Sequence, residues 1–380
     1  MEGKAKVLVM VDWFEPGFKA GGPIRSAVNF ADQLESMLDI HVLTTDRDLG
    51  DAAPYSGIVA DRWSSRGMHH VFYASPGRLG WSSIKAIVHD VAPAHLYLNS
   101  MFSLPFTILP LLMRKMGAIN ADILLAPRGM LRVSALAHKA RKKKIYLALC
   151  KALGLYKGVT FHATDAQEEL DVRKMFGEST HVFRAGNLPA RQKPLRAALV
   201  KAPGSLRMLF VGRIHPIKNL DFLLRALKGV GGKVELTVVA PKEDRNYWEN
   251  CRALIDGLGS SVTVTVLEHV PHAEIEEHIL VNHIFALPTK GENFGHAIYE
   301  SLSAGRPVLV SDQTPWRNLE AKKAGWDLPI DDPAVFRVRI DLMLEMGQDE
   351  FIEWCEGAWN LARDYQDQAA LRQSYTKQFS

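Results

Sequence analysis

The sequence predicts an α/β protein made of two doubly wound domains. Short apolar runs typical of buried parallel strands alternate with segments of helical periodicity along most of the 380 residues. This length is sufficient for two ordinary domains. Residues 191–205 are rich in Lys, Arg, Ala and Pro without a clear period, which is typical of a linker. We therefore expect an N-terminal domain over residues 1–195 and a C-terminal domain over residues 205–360.

The composition excludes several classes of protein. With 47% hydrophobic and 23% charged residues the chain is globular, and a net charge of +4 gives no general affinity for nucleic acid. Its three cysteines are far apart and have no metal-ligand spacing. The chain opens directly on a strand-like segment, and its most apolar stretch, residues 104–113, is too short to span a bilayer. We expect a cytoplasmic protein that is soluble or bound peripherally to a membrane.

The N-terminal domain begins with a predicted buried strand, residues 6–13. A loop then leads through Gly21 and Gly22 to a helix, predicted from the apolar spacing over residues 24–34, with Pro23 in its first turn. A glycine pair at such a turn lets another backbone or a phosphate approach closely. The loop lacks the Gly-x-Gly-x-x-Gly pattern, which argues against a nicotinamide-dependent dehydrogenase.

Further strands and helices alternate through this domain, which predicts a parallel sheet covered on both faces. The predicted strands are residues 41–45, 68–73, 96–99, 122–126 and 160–163. Asp46 and Asp48 have the Asp-x-Asp pattern with which some metal-dependent transferases of another fold hold a divalent cation. Because they follow the second strand, we expect a solvated loop here and no metal site.

Arg128 lies in a turn directly after the predicted strand 122–126, within the sequence Ala-Pro-Arg-Gly-Met. A residue there lies at the carboxyl edge of the sheet, where open α/β sheets bind their ligands. Arg128 is therefore a candidate contact to a substrate. The alternative is an ion pair that anchors the loop.

A basic segment, residues 139–151, has the pattern of an amphipathic helix. Leu136, Ile145, Leu149 and Leu153 can share one side of it, and lysines crowd the rest. Such a helix is a candidate for contact with an anionic membrane surface. The alternative is an ordinary solvated helix.

In the C-terminal domain, Arg213 and Lys218 follow a predicted strand that ends at Gly212. The spacing of apolar residues predicts a helix from Leu220, with Asn219 as its N-cap. Both cations therefore lie at the carboxyl edge of the sheet, beside a helix N-terminus. Two cations in that position are costly unless an anion shares the site, so we expect an anion-binding site; the alternative is a structural ion-pair role.

Two glutamates flank a second predicted anion site. A strand over residues 284–288 is followed by a loop with Glu292 and Gly295 and by a helix that contains Glu300. Free amides at the start of this helix favour an anion, whereas carboxylates accept hydrogen bonds from paired hydroxyls. The pattern indicates a ligand with a diphosphate between two polyols, such as a nucleotide sugar. The alternative is a solvated helix face.

Glu292 and Glu300, with seven residues between them around Phe294-Gly295, resemble the paired-glutamate motif of the family 4 retaining glycosyltransferases. Arg213 and Lys218 are similar to the diphosphate-binding pair of that family, and the sequences after Gly305 are similar to a bacterial branch of it. The resemblance implies the GT-B fold, in which two Rossmann-like domains face each other across a cleft. It also implies that the C-terminal helix, residues 363–380, packs back on the first domain.

The function implied by this resemblance is transfer of a sugar from a nucleoside diphosphate to an acceptor hydroxyl, with retention of the anomeric configuration, in bacterial polysaccharide or glycan biosynthesis. Arg213 and Lys218 would stabilise the leaving diphosphate, so that neither a metal nor another cofactor is needed. Glu292 would hold the sugar hydroxyls and Glu300 the ribose hydroxyls. The expected donor-binding residues are Gly21, Gly22, Arg213, Lys218, Glu292, Asn293, Phe294, Gly295 and Glu300.

The expected partners are a nucleotide-sugar donor and a glycan or lipid-linked glycan acceptor, with peripheral membrane contact through residues 139–151. Two alternatives remain from the sequence. A nucleotide-sugar epimerase would share the fold class, and a catalytically inactive protein would bind a sugar nucleotide without turnover.

Overall fold

The computed structural model describes residues 4–132, 135–136, 140–268 and 270–380, and it contains two compact units. The first lies within Met1–Ala190 and Ala369–Ser380, and the second is Arg191–Gln368. The division follows Ala190, so the segment 191–205 that was expected as a linker belongs to the second unit.

The first unit has an eight-stranded sheet in the order β3-β4-β2-β1-β5-β6-β7-β8. All neighbours are parallel except β3 and β4, which are antiparallel. The strands are β1 (Lys6–Met10), β2 (Asp39–Thr45), β3 (Trp63–Arg66), β4 (His69–Ala74), β5 (His95–Leu98), β6 (Asp122–Leu125), β7 (Thr160–Ala163) and β8 (Val182–Arg184).

Helices cover both faces of this sheet. The helices are α1 (Gly22–Leu34), α2 (Trp81–Val91), α3 (Leu109–Lys115), α4 (Ala140–Ala152), α5 (Ala166–Phe176) and, at the end of the chain, α12 (Ala369–Gln378), with short helical turns at Pro76–Arg78 and Leu104–Ile108. One hydrophobic cluster joins β1 and β2 to α1 and α12, and a second joins the sheet to α2, α3, α4 and α5. The unit is therefore doubly wound, as expected from the alternation of strands and helices.

The second unit has a six-stranded parallel sheet in the order β11-β10-β9-β12-β13-β14. The strands are β9 (Ser205–Val211), β10 (Lys233–Val239), β11 (Val262–Leu267), β12 (Ile284–Leu287), β13 (Val308–Ser311) and β14 (Gly325–Leu328). Counted from β9, this is the strand order 3-2-1-4-5-6 of a Rossmann fold.

The central strands of this sheet are buried because their sequences are continuously apolar: all four residues of β12 are buried. The helices of the unit are α6 (Leu220–Ala226), α7 (Arg245–Asp256), α8 (His272–Leu280), α9 (His296–Ser303), α10 (Pro333–Glu345) and α11 (Gln348–Gln366), with a 3₁₀ turn at Glu320–Lys322. Across the described part of the chain, no helix combines the length and the hydropathy that a membrane span requires.

The end of the chain differs from the single helix expected within residues 363–380. Helix α11 ends at Gln366 and belongs to the second unit, whereas α12 starts at Ala369 and belongs to the first. Tyr375 of α12 is 2% exposed, and its hydroxyl donates a hydrogen bond to the carbonyl of Gly186 at 2.9 Å. Burial of this ring and its hydrogen bond attach α12 to the first unit.

Candidate functional site

The sheet of the second unit has a topological switch point between β9 and β12. These two strands are neighbours, but the chain continues from β9 to β10 on one side and from β12 to β13 on the other. Loops leaving such a pair diverge, and they leave a crevice at the carboxyl ends of the strands where open α/β sheets bind ligands. Residues 212–219 and 288–295 form these two loops.

Arg213 lies at the start of the loop after β9. Its Nη1 is 2.6 Å from Oε2 of Glu243, and both side chains are 44% exposed. The amide of Gly212 donates to the carbonyl of Val239, and the amide of Ile214 donates to the carbonyl of Pro241. These bonds hold the loop against the end of β10, so that the guanidinium group stays at the edge of the sheet.

Lys218 and Glu292 join the two loops, with Nζ 2.5 Å from Oε2 and side-chain exposures of 16% and 20%. The carbonyl of Ile217 reinforces the junction, because it accepts hydrogen bonds from the amide of Lys290 at 2.7 Å and from Oγ1 of Thr289 at 3.0 Å. From the sequence, both residues were expected to follow strands of the second domain, and no contact between them was predicted. The structure places them in direct contact.

Both cations of this crevice therefore have carboxylate partners in the structure. The expectation from sequence was that Arg213 and Lys218 need an anion, and Glu243 and Glu292 supply it. The ion pairs of the structural alternative are thus present, and the anion-binding role of the two cations stays a prediction. The ion pairs do not remove the cations from the site, because the Arg213 side chain is 44% exposed at the crevice.

Gly295, in the loop that carries Glu292, is the N-cap of helix α9. Gly295 has φ +78°, and a Cβ atom there would lie 2.7 Å from Cδ1 of Ile298 and 3.1 Å from Cγ of Glu292. Glycine is therefore required both by the backbone angle and by the space. The first amides of a helix have no partner within it, so this N-terminus presents donors and a positive dipole end at the switch point.

Glu300 lies further along α9, and its side chain is 15% exposed. Its Oε1 is 3.4 Å from Nε2 of His272, the first residue of α8. His272 was not singled out from the sequence. The available signal was its position after strand β11, at the start of a helix and hence at the carboxyl edge of the sheet.

Phe294 was expected among the donor-binding residues; its ring lies in the core, and a donor contact through its backbone stays a prediction. The side chain is 4% exposed and packs in an aromatic cluster with Tyr299, Trp316 and Tyr365. Nε1 of Trp316 donates a hydrogen bond to the carbonyl of Phe294 at 2.6 Å. The ring therefore anchors the loop between Glu292 and Gly295, while Asn293 beside it remains half-buried.

In the first unit, Gly21 is the N-cap of α1 and has φ +64°. The loop before it is held by Asp48, whose Oδ2 accepts hydrogen bonds from the amides of Phe18 at 2.7 Å and Lys19 at 3.1 Å. Oδ1 of Asp46 lies 2.8 Å from Nε of Arg47. The two aspartates are 3% and 5% exposed, so the solvated loop expected here is wrong. Their carboxylates are bound by the chain itself.

Arg128 has φ +54° and is held by neutral groups. Its Nη2 donates to Oδ1 of Asn99 at 2.7 Å and to Oη of Tyr97 at 2.8 Å, and its Nη1 donates to Oδ1 of Asn187. Among the described residues no carboxylate lies within salt-bridge distance of its guanidinium group, so the expected alternative of an anchoring ion pair is not what holds it. The substrate contact stays a prediction.

The hydrogen-bond chain continues from Arg128 into the core. Oη of Tyr97 is 2.7 Å from Nδ1 of His162, whose Nε2 is 2.9 Å from the carbonyl of Ala185. A carbonyl only accepts, so Nε2 carries the proton and Nδ1 accepts from the tyrosine. Burial, together with the charge of Arg128, lowers the pKa of His162 to about 3.

Asp12 is a further polar residue at the carboxyl edge of the first sheet that the sequence analysis did not single out. It follows β1 directly, and its Oδ1 accepts a hydrogen bond from Oγ of Ser103 at 2.6 Å. Burial raises the pKa of its carboxyl group above the ordinary value. The predicted strand 6–13 included this residue, so the sequence did not show that Asp12 lies beyond the observed end of β1 at Met10.

Sequence comparison relates the second unit to a known family. Residues 191–352 match the family model described as Glycosyl transferases group 1. The D-inositol 3-phosphate glycosyltransferase of Nocardia farcinica is 31% identical over 131 residues, which are 33% of this chain and 29% of that protein. Its counterpart from Mycobacterium tuberculosis (strain F11) is 31% identical over 143 residues, or 36% of this chain and 28% of that protein. The chain thus spans less than a third of the length of these relatives.

Structural comparison covers nearly the whole chain. A sucrose-phosphate synthase from Thermosynechococcus elongatus has a TM-score of 0.68 at 14% identity, over 99% of this chain and 98% of that chain. Anabaena HepE in complex with UDP-glucose has a TM-score of 0.66 at 13% identity, over 98% of both chains. WaaG, a glycosyltransferase involved in lipopolysaccharide biosynthesis, has a TM-score of 0.64 at 15% identity, over 98% of this chain and 99% of that chain.

At these identities the structural likeness establishes the fold alone, and the predicted α/β fold with two Rossmann-like domains is confirmed. The family match adds a relationship in sequence for residues 191–352, the part of the chain that carries Arg213, Lys218, Glu292 and Glu300. The chain therefore has the GT-B fold of glycosyltransferases, and its second unit is homologous to the glycosyl transferases of group 1.

Proposed function

We propose that the protein transfers a sugar from a nucleoside diphosphate sugar to an acceptor hydroxyl, with retention of the anomeric configuration, in the synthesis of a bacterial polysaccharide or glycan. The observation that carries this proposal is the meeting of Arg213, Lys218 and the N-terminus of α9 at the switch point of the second sheet. Two cations and a helix N-terminus at one crevice fit a diphosphate.

Lys218 and Glu292 suggest how the site works. Cleavage of the sugar–phosphate bond adds negative charge to the diphosphate, and fixed cations and amide dipoles lower the energy of that state. In the structure Oε2 of Glu292 lies 2.5 Å from Nζ of Lys218 at the crevice. When the donor binds, we expect a phosphate oxygen to take the place of this carboxylate at Nζ. Glu292 is then available to accept hydrogen bonds from the sugar hydroxyls.

The remaining donor contacts follow from the same geometry. We assign Glu300, beside His272, to the ribose hydroxyls, and the amides after Gly295 to the diphosphate. Because cations of the chain would carry the charge, we expect the reaction to need no metal ion. The solved complex of HepE with UDP-glucose supports a nucleotide sugar as the donor class.

For the acceptor we propose a glycan or a lipid-linked glycan, used in the cytoplasm or at the inner face of the membrane. Arg128 is our candidate acceptor contact in the first unit, because it lies after β6 at the carboxyl edge of the sheet and is half-buried. Its guanidinium group is fixed by Tyr97, Asn99 and Asn187, so it would meet the acceptor in one orientation.

A donor panel without acceptor tests the proposal. Thermal shift with several nucleotide sugars and with the free nucleoside diphosphates identifies the donor, which is then incubated with the protein and analysed for products. Slow release of free nucleoside diphosphate is expected of a transferase that uses water in place of its acceptor. Conversion into a different nucleotide sugar would show an epimerase, and binding without any turnover in the presence of glycan acceptors would show a binding protein.

A further inference from the structure

Helix α4 (Ala140–Ala152) is fixed to the first unit by one of its faces. Leu147 and Cys150 are 4% and 3% exposed and belong to its hydrophobic core. Tyr146 adds a hydrogen bond from its hydroxyl to the carbonyl of Met101 at 3.0 Å. These contacts set the rotation of the helix about its axis, and hence which side chains point outward.

The outward face carries a continuous apolar stripe. Ile145, Leu149 and Leu153 are 69%, 58% and 43% exposed. They are spaced four residues apart, so they follow one another along a single side of the helix and the turn after it. Leu136, which was expected to share this side, packs instead against the core. Single exposed leucines are common on protein surfaces, but three in a row over three turns form a patch.

The stripe is surrounded by positive charge. Arg141, Lys142 and Lys144 are exposed on the same helix. Between Asp122 and Asp165 the sequence contains no Asp or Glu and nine Lys or Arg residues: Arg128, Arg132, Lys139, Arg141, Lys142, Lys143, Lys144, Lys151 and Lys157. No acid of this segment can neutralise the helix, so the patch attracts anions. Lys139 itself lies outside the described residues.

Lys143 differs from its neighbours. Its Nζ donates a hydrogen bond to the carbonyl of Ala135 at 2.7 Å and lies 5.3 Å from the centre of the Phe102 ring. Lys143 is therefore a structural residue of the helix. Lys143 should therefore remain a lysine in the variants that reverse the charge of this helix.

A surface pocket of 420 Å³ continues the basic surface beyond the end of α4. Lys157, Ser179, Thr180 and His181 line it, and no carboxylate is among its lining residues. Lys151 also lines it, but its Nζ donates a hydrogen bond to the carbonyl of Met175 at 2.7 Å. Hydroxyl and ammonium donors without a carboxylate suit a phosphate group.

We propose that α4 and the pocket beside it dock the first unit onto an anionic lipid bilayer. The stripe Ile145, Leu149 and Leu153 would enter the boundary between headgroups and acyl chains, and the surrounding cations would contact lipid phosphates. Charge favours this occupant over a second copy of the chain, because two copies of the same basic surface repel each other. The inference deepens the proposed function, which already includes the inner face of a membrane as a place of action, but the binding that it predicts does not depend on the donor chemistry.

Vesicle binding of the full chain tests the proposal. Sedimentation is measured with vesicles of phosphatidylcholine alone and of phosphatidylcholine with phosphatidylglycerol, at rising salt. We expect binding only to the anionic vesicles, and we expect salt to weaken it. Reversing three cations in Arg141→Glu/Lys142→Glu/Lys144→Glu should lower the partition coefficient by at least about 100-fold. Ile145→Gln and Leu149→Gln should each lower it by roughly tenfold.

Matched controls exist in the same unit. Arg62→Glu/Lys85→Glu/Lys174→Glu makes the same change in net charge at other exposed positions, and Leu170→Gln replaces a leucine that is 59% exposed on α5. Neither control should change vesicle binding by more than about twofold. All variants should have the circular dichroism spectrum and the thermal unfolding midpoint of the wild type, which shows that they are folded and keeps this test independent of the proposed activity.

Three results would overturn the proposal. The first is equal, negligible binding of the wild type to both kinds of vesicle. The second is an equal loss in the control variants, which would make net charge the cause. The third is a wild-type dimer in light scattering that Leu149→Gln converts to a monomer, since the stripe would then bind a second copy.

Discussion

The ion pair between Lys218 and Glu292 is better understood as a positioning device than as a source of stability. Both side chains are partly exposed, at 16% and 20%, and pairs of this kind contribute only about 0–1 kcal/mol to folding. Its effect on position is larger, because it holds an ammonium group between two loops that leave the sheet in opposite directions. Replacing Lys218 should therefore change the chemistry of the crevice much more than the stability of the fold.

We expect Lys218→Ala and Arg213→Ala each to lower turnover by roughly 10²-fold or more, the scale of losing one preorganised group that stabilises developing charge. Steady-state rates with the donor identified by the panel, at saturating concentration, measure the effect. Thermal unfolding should show both variants folded. Lys228→Ala, an exposed lysine beyond α6, is the matched control and should keep wild-type turnover. Near-normal turnover in Lys218→Ala or Arg213→Ala would remove the diphosphate from this crevice.

Single residues also show what the sequence can and cannot reveal about the site. Arg213, Lys218 and Glu292 could be found because they lie in the loops that follow apolar strands, and the end of a strand is a local pattern in the sequence. Their partners could not be assigned, because the pair of Lys218 with Glu292 spans 74 positions and depends on the order of strands in the sheet. The burial of the Phe294 ring depends in the same way on Trp316 and Tyr365, which reach it only in the folded unit.

At the scale of elements, the loop between β1 and α1 is fixed from outside by Asp48. This carboxylate follows β2, the neighbour of β1 in the sheet, and accepts hydrogen bonds from the amides of Phe18, Lys19 and Leu49. The sequence predicted the strands on either side, but it could not show that an aspartate after one strand would bind the loop after another. In this pattern Asp48 therefore serves the backbone, and Asp46 accepts hydrogen bonds from the side chain of Arg47.

We expect Asp48→Ala to destabilise the first unit by roughly 1–3 kcal/mol, since it leaves loop amides without their acceptor. Urea unfolding of the wild type and the variant measures the difference.

Turnover of the wild type should persist in excess chelator, because both aspartates of the pattern are already bound by the chain. Loss of activity in chelator that manganese or magnesium restores would show that the pattern holds a cation.

At the scale of the whole molecule, each unit contains a buried histidine whose hydrogen bonds require the neutral form. His162 in the first unit accepts at Nδ1 from Tyr97 and donates from Nε2. His283 in the second unit accepts at Nδ1 from the amide of Arg207 at 2.9 Å, and its Nε2 is 3.0 Å from the carbonyl of Val200. Protonation would break the bond at Nδ1 in both.

The sign of the pH dependence follows from these pKa values. Burial lowers the pKa of His162 to about 3 and that of His283 to about 4, whereas both titrate near 6.5 in the unfolded chain. Below pH 6.5 the unfolded state therefore binds more protons than the folded state. The stabilisation is complete above that pH and is lost as the pH falls towards the folded values. The charged groups near the two rings are Arg128 for His162, and Lys201, Arg207 and Arg306 for His283, all of which oppose protonation.

We expect the free energy of unfolding of each unit to fall by roughly 1.4 kcal/mol per pH unit for its own histidine between pH 6 and pH 4.5. Since two units can unfold in separate transitions, urea curves followed by circular dichroism at several pH values can resolve them. His162→Gln should flatten the pH dependence of one transition and His283→Gln that of the other, each at a cost in stability at neutral pH. His89→Gln, an exposed position on α2, should change neither. If neither His162→Gln nor His283→Gln changes the pH dependence of unfolding, the loss of stability in acid comes from carboxyl groups. The two buried histidines would then contribute nothing to it.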